Sequence, residues 1–227
     1  MTLRGISSMA TRQLLGELAS MYQKLANIGV EVESVGGVDA ARRVQSDEAF
    51  DIVILGSDAI DKLVDARKAV AGSRVDIVRS GVSIAVKAGA RRPDISSEEA
   101  LRGAVRSAQS IGYSTGPSGN ALVKLIERWG IADSLRDRLI QAPPGVPVGS
   151  LVAEGKVALG FQQLAELIHL QGIDIVGPMP KAVEIITTFS GAICATCAQR
   201  DAAREFLLFT ASPPTADAKR RQGMEPA

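Results

Sequence analysis

Short apolar runs alternate along the chain with stretches in which apolar residues recur every three or four positions, the rhythm of strands separated by amphipathic helices. Leu3–Ile6 reads as a short strand, and from Ser8 to about Ala26 the residues Leu14, Leu15, Leu18, Met21 and Leu25 share a helical face. Val30–Ser34 predicts a second strand, followed by a helix from about Val38 to Asp47. The run Phe50-Asp-Ile-Val-Ile-Leu55 has the continuous apolar character of a strand covered on both faces in a parallel sheet, and Ser57 opens a helix through Ala59, Ile60, Leu63 and Val64. This is the opening of a doubly wound sheet.

The pattern restarts after a long strand, Ile77–Val86. Ser96-Ser-Glu-Glu99 is a capping box that starts a helix to about Gln109. A strand over Ser110–Tyr113, a loop over Thr115–Asn120 and a helix from Ala121 to Trp129 follow, then two helical stretches, about Asp133–Ile140 and Val146–Glu154, around the turn Ala142-Pro-Pro-Gly145. Val157–Phe161 predicts a strand, Gln162–His169 a helix and Ile173–Val176 a strand. The long strand Val183–Ala195 and two helices close the chain, one over about Arg200–Thr210 and one ending in the basic stretch from Lys219. The expected architecture is α/β in two lobes, each a doubly wound sheet, with residues 1–80 plus 192–227 in the first, 81–191 in the second, and the two long strands as hinges.

Composition narrows the chemistry. With 26 Lys+Arg against 25 Asp+Glu the 227-residue chain carries a net charge of +1, so no global field favours nucleic acid or an anionic membrane. Aromatic residues are 4% of the chain, too few for base or sugar stacking to be the expected mode of binding. A single histidine, His169, and two cysteines leave little from which to build a zinc site or a nucleophilic triad, and no metal or cofactor is expected. Cys194 and Cys197 have redox-pair spacing, but in an extended strand residues three apart face opposite ways, so they read as two buried thiols. No apolar run approaches the ~18 residues of a membrane span, so no membrane insertion is expected. The N-terminus lacks the pattern of an export signal, which reads as cytoplasmic for this chain as written and as periplasmic if a signal has been removed.

Small hydroxyl and glycine residues follow strand after strand: Ser7-Ser8, Gly36-Gly37, Gly56-Ser57, and Thr115-Gly-Pro-Ser118-Gly119-Asn120. Each is an ordinary helix cap when taken singly. Their recurrence in both lobes, with doubled residues where one cap suffices, predicts helix starts whose free N–H groups bind an anion. Neither G-x-G-x-x-G nor G-K-[ST] occurs, which argues against dinucleotides and ATP. The expected ligand is a small oxyanion or carboxylate.

Ser7-Ser8, Ala40-Ala-Arg-Arg-Val44, Phe50–Asp58, Pro117-Ser-Gly119 and Leu159-Gly-Phe161 together resemble the molybdate-binding proteins of ABC transporters and the wider class II solute-binding proteins, over about Leu3–Gly223. The resemblance implies the periplasmic-binding-protein type II fold, an anionic ligand in the cleft between lobes and an ABC permease as partner. By the family pattern, Ser7 or Ser8, Gly56-Ser57, Ser118-Gly119 and Gly145-Val146 carry over as oxyanion donors. Gly36-Gly37 stands where the family has a second serine, and Gln162-Gln163 where it has a tyrosine. Those replacements enlarge the site and add amides, which favours a larger organic acid over molybdate. Arg79 and Arg12 are candidates for a bidentate carboxylate pair. The sequence is also similar to aconitate isomerase, which implies an alternative in which the same site isomerises an unsaturated acid and Glu166 or His169 titrates, although Glu166 reads as solvent-facing and His169 as structural.

Overall fold

The computed structural model describes residues 2–227. The described residues divide into two compact units, 2–80 with 187–227, and 81–186. In the first unit, β1 (Thr2–Ser8) leads into α1 (Arg12–Ala26), β2 (Gly29–Val35), α2 (Gly37–Gln45), β3 (Ile52–Gly56) and α3 (Ser57–Asp65). The chain then enters β4 (Val75–Lys87), which leaves this unit at Ser80.

The second unit contains α4 (Glu98–Ser107), β5 (Ile111–Tyr113), α5 (Pro117–Arg128), α6 (Ala132–Leu135), β6 (Leu139–Gln141), α7 (Val148–Ala153), β7 (Leu159–Gln163), α8 (Leu164–Leu167) and β8 (Ile173–Pro178). The chain returns to the first unit through β9 (Ile186–Ile193), α9 (Arg200–Ala211), α10 (Ala216–Arg221) and β10 (Glu225–Pro226).

In the first unit β2 and β3 both run parallel to β1, and β9 lies antiparallel on β3, giving the order β2-β1-β3-β9. β3 is buried at every position, as its unbroken apolar run demands. Gly5 makes the close β1–β3 approach possible, since a Cβ there would lie 2.8 Å from Ile52 Cγ1. α1 buries Leu14, Leu15, Leu18, Ala19 and Tyr22, and ends where Asn27 turns left-handed at φ 56°. Tyr22 sets its ring edge against Phe206 of α9, centroids 5.2 Å apart.

In the second unit β5 pairs in parallel with β6 and β7, and β4 runs antiparallel to β7 and β8. Its core gathers Val82, Ile84 and Val86 of β4 with Leu101, Ile126, Trp129 and Phe161. The cap falls one residue later than the expected Ser96 box: Ser97 caps α4 by accepting from Ala100 N–H at 3.1 Å, and Trp129 Nε1 donates to Glu98 at 2.8 Å, tying the start of α4 to the end of α5.

Four expected elements come out differently. The helix over Asp133–Ile140 stops at Arg138 because Leu139–Gln141 is drawn into parallel pairing with β5, while Arg138 donates to the carbonyls of Arg106, Ala108 and Ser134. The loop over Thr115–Asn120 ends early, because Pro117, pre-set for a first helical position, starts α5. The helix beginning at Gln162 begins at Leu164, both glutamines belonging to β7. The strand Val183–Ala195 is shorter at both ends, with Lys181–Val183 a 3-10 turn and Ile193 its last residue.

That last correction changes the reading of the cysteines. Ala195 N–H donates to Lys68 O, Thr196 Oγ1 to Phe50 O and Cys197 N–H back to Cys194 O at 3.0 Å, so the pair spans a β-turn rather than opposite faces of a strand. Both thiols are buried and free. Burial, with Cys197 and Asp51 nearby, pushes Cys194 up to about 12, and burial with a hydrogen bond to Asp51 pushes Cys197 up to about 11. These are inert thiols at neutral pH.

Candidate functional site

In the first unit the carboxyl ends of three neighbouring parallel strands come together. Register places Ser7 beside Ser34 and Ile54, and Ser8 beside Val35, so Ser8, Gly36-Gly37 and Gly56-Ser57 leave the sheet at the same edge. This is where a doubly wound sheet offers ligands its helix starts.

Ser7 is fully engaged, its Oγ 2.8 Å from Ser34 Oγ and donating to Ser8 O at 3.3 Å. Ser8 differs. It is 8% exposed, and its Oγ has no hydrogen-bond partner. A buried hydroxyl left unsatisfied costs about 1–3 kcal/mol, a feature for which ligand binding is one explanation. A Cβ on Gly37 would touch Ser8 Cβ at 3.6 Å, so the missing side chain leaves the space beside the hydroxyl open.

α2 and α3 both begin on glycine N-caps, Gly36 and Gly56, with no side chain capping the first N–H groups. Ser57 is half-buried as the first residue of α3. Asp39 and Asp58 sit in the first turns and oppose an incoming anion in part, although Asp39 is paired with Arg42. Arg12 is exposed on α1. Arg79 is exposed on β4 opposite Glu225 of β10, with β9 between its strand and β3, so it is not among the residues that the three strand ends gather.

The second unit builds its polar cluster from side chains. Beyond β5, Ser114 Oγ and Ser118 Oγ are 3.3 Å apart, with Thr115 half-buried between them in sequence. Gly119 is obligatory, because a Cβ there would lie 1.8 Å from Ser114 O. α5 starts on Gly116, without a side-chain cap, and Asn120 is exposed in its first turn. Val146 N–H closes its own turn on Pro143 O, so it is not available as a donor.

At the carboxyl end of β7, Gln162 and Gln163 are both buried. Gln162 Oε1 accepts from Gly149 N–H at 3.0 Å, and its Nε2 donates to Glu166 Oε1 at 2.9 Å. Burial pushes the Glu166 carboxyl up to about 7, opposed by that hydrogen bond. Glu166 is thus half-buried and within a hydrogen bond of the glutamine, not a solvent-facing helix residue. His169 is exposed past the end of α8. Ser34, Ser114 and Gly149 were not foreseen from the sequence. Only the spacing of Ser114 and Ser118, four apart, offers a signal, and Gly149 looks like any small helical residue.

A family model described as bacterial extracellular solute-binding protein matches residues 3–225. The chain belongs to that family. Aconitate isomerase from Pseudomonas sp is 35% identical over 233 residues, covering 99% of this chain and 88% of the relative. Among solved structures, the Azotobacter vinelandii periplasmic molybdate-binding protein superposes with a TM-score of 0.80 at 20% identity, covering 98% of each chain. L-phospholactate-bound PEB3, a protein known from Campylobacter jejuni, gives 0.73 at 12% identity over 98% of this chain and 99% of that one. The expected family and α/β type II fold are therefore borne out. No helix among the described residues is long and apolar enough to cross a membrane.

Proposed function

We propose that this solute-binding protein takes a small organic anion with two or three carboxylates. The first unit, taken by itself, offers as donors Ser8, Ser57 and the backbone N–H groups after Gly36 and Gly56; the second, taken by itself, offers Ser118, Gly119, Gln162 and Gln163. The observation that carries the reading is the unpartnered, buried Ser8 Oγ beside the bare Gly37. Glycine at that position leaves room that a compact tetrahedral ion does not need, and the Gln162 amide still has a second N–H for a carboxylate. The relative that acts on aconitate and the L-phospholactate complex with the same fold both support an organic acid. Delivery to an ABC permease is the corresponding partner role.

The test is a thermal-shift series with trans-aconitate, citrate, molybdate, tungstate and sulfate. A carboxylate at ~100 times its Kd stabilises the fold by about 2.7 kcal/mol and gives the largest shift. A larger shift with an inorganic oxyanion overturns the reading.

A second reading is isomerisation of an unsaturated tricarboxylic acid, favoured by the 35% identity to aconitate isomerase over nearly the whole chain. Such a reaction takes a proton from carbon next to a carboxylate and returns one. Trans-aconitate incubated with the protein in deuterium oxide would then show deuterium at the exchanging carbon and a growing cis signal by NMR. An unchanged spectrum excludes this reading and leaves binding intact.

A further inference from the structure

Glu166 stands behind Gln162 in a way that fixes what the glutamine can offer. Gly149 N–H holds Oε1 as an acceptor, so Nε2 must be the nitrogen that reaches Glu166 Oε1. One N–H of Gln162 is committed to the carboxyl and one remains. Gln162 is 2% exposed, so its amide has little water to turn towards. Gly149 fits this packing closely: a Cβ there would lie 2.5 Å from Leu170 Cδ1 and 2.9 Å from Leu167 Cδ2, so those leucine tips would have to shift.

Burial raises the proton affinity of this carboxyl and the hydrogen bond from Gln162 lowers it. α7 and β7 carry no acidic or basic side chain, and His169 follows Glu166 on an exposed position past the end of α8. On β8, Asp174 is engaged by Gly89 N–H at 3.1 Å and by Arg92 at 3.8 Å. The balance between the two forms of Glu166 is therefore set by burial and by Gln162, and a negative ligand held by Gln162 disfavours the charged form further.

Resting on the carboxylate-binding reading above, we propose that Glu166 is a positioning residue which, through Gln162, makes the protein bind its organic anion more tightly at mildly acidic than at alkaline pH. In the protonated form the buried region presents a neutral acid and a donor amide. In the ionised form a negative charge lies one hydrogen bond behind that amide, and repels the ligand. By linkage, binding raises the midpoint of Glu166 by the logarithm of the same factor by which ionisation weakens binding.

The test compares wild type and Glu166→Gln with trans-aconitate and citrate by calorimetry between pH 5.5 and 8.5. Ionisation of the ligand is common to both proteins and cancels in the ratio of their Kd values. The expected result is a ratio that rises at least about fivefold across the range, because wild type weakens and the variant does not. In parallel, the 13C carboxyl signal of Glu166 in wild type is titrated with and without ligand, and its midpoint moves up by about 0.7 pH units for that fivefold effect. This second measurement stands if the variant does not fold. Parallel Kd profiles, or an unmoved midpoint in a protein that binds carboxylates, overturn the inference alone. Failure to bind either carboxylate at any pH overturns the carboxylate reading, and this inference with it.

Discussion

On the proposed reading, the two units draw their anion donors from different materials. The first gathers backbone N–H groups and the Ser8 hydroxyl at the edge of three parallel strands, with Asp39 and Asp58 as the titratable groups in the helix starts. The second gathers side-chain amides and hydroxyls, with a carboxyl near neutrality one hydrogen bond behind Gln162. Dipoles from peptide groups do not titrate, so the first unit offers an attraction for anions that is insensitive to pH near neutrality, whereas the second can respond to protons. If the proposal for Glu166 holds, an anion receptor need not use a lysine or arginine to become pH-sensitive; an acid placed behind a donor suffices.

The largest expected effect tests how rigid the second unit is. Gly119→Ala pushes a methyl group into the Ser114 carbonyl, backbone against backbone, and should cost about 3 kcal/mol or more. Gly37→Ala, whose new methyl finds ordinary contact distance, should change stability by less than about 1 kcal/mol. Thermal melting of both variants compares the two units directly, and similar losses would break the contrast.

Next comes Glu166→Gln, read as stability against pH. The folded carboxyl titrates near 7 against an ordinary value of 4.5, so the fold penalises its charged form. Wild type then loses stability as pH rises from the unfolded value through about 7, and glutamine does not. The variant should gain roughly 2–3 kcal/mol relative to wild type at pH 8, with little difference at pH 4.5, measured by urea unfolding. A gain equal at both pH values would show that packing, not ionisation, is responsible.

Ser8→Ala removes a buried hydroxyl that lacks a partner. It should leave stability unchanged or raise it by up to ~1 kcal/mol, while carboxylate affinity falls about tenfold by calorimetry. A variant that loses stability instead would mean the hydroxyl is structurally satisfied. The smallest expected signal is thiol labelling: with Cys194 near 12 and Cys197 near 11, iodoacetamide at pH 8 should modify neither in the native protein and both in denaturant.

Much of this architecture is written in the sequence, because β3 and the helical faces of α1 and α3 carry periodic signals long enough to read. β6 was hidden because three residues cannot establish a period, and its pairing with β5 is a tertiary event. The helix starts at Gly36 and Gly56 were legible as small residues after strands, whereas α5 starts at Pro117, ahead of the expected Ala121. The Gln162 relay was not legible, since nothing local separates a solvated glutamate from one held by a buried glutamine of the preceding strand. The cysteine turn was missed for a similar reason, its shape coming from the carbonyls of Phe50 and Lys68, far away in sequence.

The first unit is discontinuous: β3 finds its antiparallel neighbour only in β9, and β10 pairs with Arg79 and Val78 of β4. A ribosome therefore finishes the whole of residues 81–186 while the earlier sheet still has an open flank. The inserted half can mature first during synthesis, and the exposed edge of β3 is what a nascent chain has to protect until the tail emerges.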